Sequence, residues 1–121
     1  MSKILIVEDE APIQEFLQMA LSDEGYQPIP AYNGHEALAV LTHHQPNLIL
    51  LDMWMPKMDG KTFLSHYRKL PAMLAPVIVM TACAEIVDDK ALLGMVTACL
   101  SKPFDLNAML LTIKKQLLAS A

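Results

Sequence analysis

Leu48-Ile49-Leu50-Leu51 is an unbroken apolar run that ends in a carboxylate, Asp52. A short run without polar alternation fits a strand buried on both faces, and such strands belong to parallel sheets covered by helices. Beyond Asp52 come Pro56 and the pair Asp59-Gly60, a turn signal. An Asp at the carboxyl end of a central parallel strand stands where open α/β sheets hold their ligands.

Other segments repeat the pattern. Lys3 to Val7 reads as a second buried strand, ending in Glu8-Asp9-Glu10. Val77 to Met80 reads as another, ending at Thr81, and Ala98-Cys99-Leu100 as a short one ending at Ser101-Lys102-Pro103. Gln27 to Tyr32 carries Pro28 and Pro30 two apart, a pattern a strand tolerates only at a sheet edge. Between the strands, Ile13, Phe16, Leu17, Ala20 and Leu21 mark one helix face, with Pro12 in the first turn and Gly25 as the stop. Asn33 and Glu36 have capping-box spacing ahead of Ala37, Leu38 and Leu41. Phe63, Leu64, Tyr67 and Leu70 predict a third helix, stopped by Pro71. Ala91, Leu92 and Met95 predict a short fourth. Leu106, Met109, Leu110, Ile113 and Leu117 predict a fifth, capped by Asp105. Strands alternating with helices predict an α/β fold: a doubly wound, flavodoxin-like (βα)5 unit with a five-stranded parallel sheet of order 2-1-3-4-5. One domain over residues 1–121 suits this length.

Composition narrows the function classes. Hydrophobic residues make up 54% of the chain, which excludes a disordered polymer. The net charge of −4 and the lack of a basic patch argue against direct nucleic-acid binding. The apolar runs are too short to span a membrane, and Met-Ser-Lys before a short apolar run does not resemble a signal peptide, so a cytoplasmic protein is expected. Cys83 and Cys99 sit in apolar stretches and read as buried free thiols.

In a parallel sheet the ends bearing Glu8, Asp9, Asp52, Thr81 and Lys102 share one edge. The switch point of order 2-1-3-4-5 lies between strands 1 and 3, where the three acids converge. Two unit charges 4 Å apart cost on the order of 4 kcal/mol at an effective dielectric near 20, a cost that a divalent cation removes. Oxygen ligands without Cys or His select Mg2+ or a similar ion. Lys102 can anchor an anion and Thr81 can donate to an oxygen. The set fits phosphoryl transfer with Asp52 as nucleophile, since a carboxylate is already ionised at neutral pH.

These residues carry a family resemblance over essentially the whole chain. Ile4 to Glu10, Asp52 with Met55-Pro56 and Met58-Asp59-Gly60, Thr81-Ala82, and Lys102-Pro103-Phe104 together resemble a response-regulator receiver domain of two-component signalling, of the stand-alone type. The resemblance implies that Asp52 accepts a phosphoryl group from a histidine kinase or a histidine phosphotransfer protein. It implies Mg2+ held by Glu8, Asp9, Asp52 and the backbone carbonyl of Trp54, with Thr81 and Lys102 on the phosphoryl group. It implies a cis Lys102–Pro103 bond. It also implies a signalling domain rather than an enzyme, whose output is a protein target docking on the face made by the predicted fourth helix, the fifth strand and the last helix. Departures are visible. Cys99 stands where the family usually has a switching aromatic, Met95 where it usually has Gly, and Glu8 where Asp is commoner.

Other readings remain. The chain could be a receiver cut from a longer regulator with a separate output domain. A phosphatase of the haloacid-dehalogenase type needs a second Asp at position 54, which is Trp. A flavodoxin-like binding module needs a phosphate loop after strand 1, where Glu8-Asp9-Glu10 would repel phosphate. The acidic triplet alone could be first-turn helix acids, and Asp59 is read as a turn residue outside the site. His35, His43, His44 and His66 read as surface residues, and the Met residues as packing.

Trp54 lies two residues past Asp52, where a bulky ring would shield an acyl phosphate from water. Trp54→Ala is therefore expected to shorten the phosphoryl lifetime, read by intact mass over time. An unchanged lifetime counts against shielding.

Overall fold

The computed structural model describes residues 2–53, 55, 58–70, 75–80, 98–100 and 105–120. Five strands, β1 (Lys3–Val7), β2 (Gln27–Ala31), β3 (Leu48–Asp52), β4 (Val77–Met80) and β5 (Ala98–Leu100), form one parallel sheet in the order β2-β1-β3-β4-β5. Four helices are described: α1 (Ala11–Asp23), α2 (Gly34–Leu41), α3 (Gly60–Tyr67) and α4 (Leu106–Ser120). The helix expected around Ala91 to Met95 lies outside the described residues.

Alternation along the strands divides the core between two layers. Leu5, Val7, Ile49, Leu51, Val77 and Val79 face α2 and α3, where they meet Ala37, Phe63, Leu64 and Tyr67. Ile4, Ile6, Leu48, Leu50, Ile78 and Met80 face the other way, against Leu17 and Leu21 of α1 and Met109 and Ile113 of α4. All five residues of β3 are buried, as a central strand covered on both faces requires.

The edge expectation for β2 holds. Ile4 pairs with Pro28 and Ile6 with Pro30. The Gln27 N–H donates to Ser2 O at 2.8 Å, so the prolines take the alternate positions that face away from β1. The caps also follow the sequence. Asn33 Oδ1 accepts from Glu36 N at 2.9 Å, and Glu36 Oε1 reaches back to Tyr32 N at 3.1 Å. Asp105 Oδ2 accepts from Ala108 N at 3.0 Å and opens α4. Gly25 ends α1 with φ +86°, a conformation that favours glycine.

The α1 face departs from expectation. Phe16 is 50% exposed, whereas Gln14 is fully buried beside Leu17 and Leu21. Gln14, Leu17 and Leu21 recur at i, i+3 and i+7, so the inward stripe runs one residue to the side of the purely apolar one.

On the α3 side, the Tyr67 hydroxyl donates to Ala75 O at 3.1 Å and accepts from Ala75 N at 2.6 Å. Burial pushes its pKa above the ordinary 10.0, and the bond to Ala75 acts in the opposite direction. The folded state therefore holds the phenolic proton more tightly than the unfolded chain. The stability this gives is complete below about pH 10 and is lost as pH rises through the folded value. Tyr67→Phe should lower stability at pH 7 by about 1–3 kcal/mol, because it strands the Ala75 N–H. The deficit should shrink above pH 10. Urea unfolding of both proteins at neutral and alkaline pH checks both expectations.

Candidate functional site

The β1–β3 register places the acids. Val7 pairs with Leu51 at the last rung of that ladder, so the next residues stand side by side: Glu8 just past β1, and Asp52 as the last residue of β3, where it still pairs with Met80 of β4. Asp9 follows in the turn to α1. Glu8, Asp9 and Asp52 each offer a carboxylate oxygen within 4.8 Å of the others. Glu8 is fully buried, Asp52 is 4% exposed, and Asp9 is half-buried, so the cluster opens to solvent on the Asp9 side. Glu10 is exposed, and its N–H donates to Glu8 Oε2 at 3.3 Å.

The loop after Asp52 is fixed from both ends. Met53, Met55 and Met58 are buried in the layer that faces α2 and α3. The Gly60 N–H donates to Met53 O at 3.1 Å. Asp59, read from sequence as a turn residue, is the N-cap of α3, with Oδ1 accepting from Thr62 N at 2.8 Å. Its carboxylate is thus engaged in capping rather than in the acidic cluster. All four histidines are exposed, as expected.

An all-carboxylate donor set with two buried members fits a hard divalent cation. Three anions this close repel unless positive charge lies among them. Glu8, Asp9 and Asp52 would supply oxygen ligands. The other predicted participants, Trp54, Thr81 and Lys102, lie outside the described residues, as does the Lys102–Pro103 bond.

Residues 4–114 match the model of the response regulator receiver domain. The chain belongs to this family. A sporulation initiation phosphotransferase F of Bacillus subtilis (strain 168) is 38% identical over 117 residues, covering 95% of this receiver and 93% of the relative. A probable transcriptional regulator ycf27 of Porphyridium aerugineum is 41% identical over 86 residues, covering 71% of this receiver. The matched part is only 35% of that regulator's length. Among solved structures, the chemotaxis response regulator CheY4 of Vibrio cholerae superposes with a TM-score of 0.86 at 29% identity, covering 96% of this receiver and 98% of that chain. The receiver domain of Francisella response regulator 1452 shares the fold, with a TM-score of 0.89 over the whole of both chains at 24% identity.

One sequence expectation is corrected. Cys99 of β5 is disulfide-bonded, and no free cysteine occurs among the described residues. Cys83 lies outside them. Pairing depends on Cα separation and side-chain direction in space, which sequence spacing and apolar neighbours do not reveal. Gln14 is a buried residue that apolar periodicity does not single out; its signal in the sequence is a polar residue at helical spacing from Leu17 and Leu21.

A Cβ at Gly60 would lie 2.7 Å from Met53 Cα and 3.1 Å from Asp52 O, both backbone atoms. Gly60→Ala should therefore displace the end of β3 and lower stability by about 1–3 kcal/mol, measured by urea unfolding. Equal stability would show that the receiver absorbs this crowding elsewhere.

Proposed function

We propose that this receiver accepts a phosphoryl group on Asp52 from a phosphohistidine of a histidine kinase or phosphotransfer protein, in a Mg2+-dependent reaction. The convergence of Glu8, Asp9 and Asp52 within 4.8 Å carries the reading. The name phosphotransferase, borne by the Bacillus subtilis relative, supports it for a chain of nearly the same length. An Asp52 oxygen attacks phosphorus, the bond from phosphorus to the imidazole nitrogen breaks, and the donor histidine leaves neutral or takes a proton from water. Bound Mg2+ would neutralise charge on the acids and on the transferred group. Glu8 and Asp9 hold the ion's side of the site, and Thr81 and Lys102 are assigned to the phosphoryl oxygens. The Trp54 carbonyl completes the proposed ligand set.

The domain, proposed to span residues 1–121, acts as a switch whose changed surface recruits a protein partner through the face made by the fourth helix expected from sequence, β5 and α4, in the cytoplasm and without touching nucleic acid itself. A second reading has one specific support. The ycf27 relative is a longer regulator, and on this reading the receiver is one part of a chain with a separate output domain.

Incubation with Mg2+ and acetyl phosphate should add roughly 80 Da to the wild-type protein and nothing to Asp52→Asn, with the adduct labile to hydroxylamine. An adduct that survives in Asp52→Asn would place the acceptor elsewhere. If acetyl phosphate fails, transfer from a phosphorylated histidine donor decides the matter, and failure there as well overturns the proposal.

A further inference from the structure

The Gln14 side chain is fully buried and belongs to neither the apolar core nor the acidic cluster. Its Nε2 lies 3.0 Å from Ile6 O, 3.2 Å from Glu8 O and 3.1 Å from Ala31 O. Its Oε1 accepts from Gln18 Nε2 at 3.3 Å. A carboxamide nitrogen has two protons, so three carbonyls share two donors. Three acceptors converging on one buried donor make that donor hard to replace: any side chain without an N–H leaves them facing an apolar or anionic group.

The position of these carbonyls matters more than their number. Val7 and Ala31 form the last pair of the β1–β2 ladder. Beyond it, the Glu8 N–H donates to Ala31 O at 3.0 Å. The Glu8 carbonyl oxygen belongs to the peptide plane that joins Glu8 to Asp9. Gln14 therefore carries the hydrogen bonding past the end of the sheet and fixes the one plane from which two of the three acids project. It does so without adding charge beside them.

We propose that Gln14 is a positioning residue for the divalent-cation site, acting through the Glu8–Asp9 peptide and resting on the reading of Glu8 and Asp9 as metal ligands. A role confined to stabilising the fold makes a different prediction, and the two separate experimentally. Mg2+ affinity is measured by titration calorimetry on the full chain for wild type, Gln14→Met and Leu21→Ala. The last variant empties core volume on the same helix at a position two turns from Gln14.

Gln14→Met should bind Mg2+ roughly tenfold or more weakly, as loss of a group that orients a ligand does, whereas a weakening of less than about threefold overturns the proposal. Leu21→Ala should bind as wild type does; an equal loss there shows general destabilisation and also overturns it. If Gln14→Met does not fold, the wild-type protein still gives an answer. The side-chain amide resonances of Gln14 should shift during a Mg2+ titration with the same midpoint as the calorimetry, and resonances that stay fixed overturn the proposal. Wild-type protein that takes up no Mg2+ would remove the metal reading itself, a failure distinct from that of Gln14.

Discussion

The parallel register of β1 against β3 is the constraint on which the site depends. Val7 stands opposite Leu51, so the chain delivers Glu8 and Asp52 to the same edge at the same height. A one-residue slip would turn every side chain of β1 to the other face and move its four buried apolar residues between two cores of different shape. Hydrophobic packing on two faces thus holds the acids in place although neither acid contributes to that packing. The register is fixed by Ile4 to Val7 and Leu48 to Leu51, and the chemistry comes with it.

What the register brings together is unfavourable by itself. Carboxylates within 4.8 Å of one another repel by at least about 3 kcal/mol per pair at an effective dielectric near 20. With Glu8 fully buried, water screens little of this. Glu10 and Gln14 both donate hydrogen bonds to Glu8. The Glu10 N–H points at the Glu8 carboxylate, and Gln14 ties down the carbonyl behind it. One donor thus meets the Glu8 carboxylate and another its main-chain carbonyl, and a hard divalent cation suits the oxygen set the three acids offer.

Much of this was legible from sequence because burial on both faces leaves a plain signature. The apolar runs ending in Glu8, Asp52, Thr81 and Lys102 gave strand positions, and the pair Pro28 and Pro30 gave the edge. Asn33 and Asp105 announced their caps. The departures have separate physical causes. Apolar periodicity cannot see a polar residue that is buried because it is hydrogen-bonded, so Phe16 was placed inward and Gln14 was overlooked. Asp59 was read as a turn because an Asp before Gly serves a turn and a helix cap equally well. The Cys99 disulfide depends on proximity between segments, which no local pattern encodes.

The outward-facing edge of β2 has a further consequence. At Pro28 and Pro30 that edge presents carbonyl oxygens and no N–H. Two such edges brought together would set acceptor against acceptor. A sheet apolar on both faces is the kind of surface from which strands are added indefinitely, and here that growth is refused at one margin by the chemistry of the imide nitrogen. Two copies are thus disfavoured from extending the sheet by pairing β2 with β2, and the cost is a strand whose pairing within the sheet comes from β1 alone.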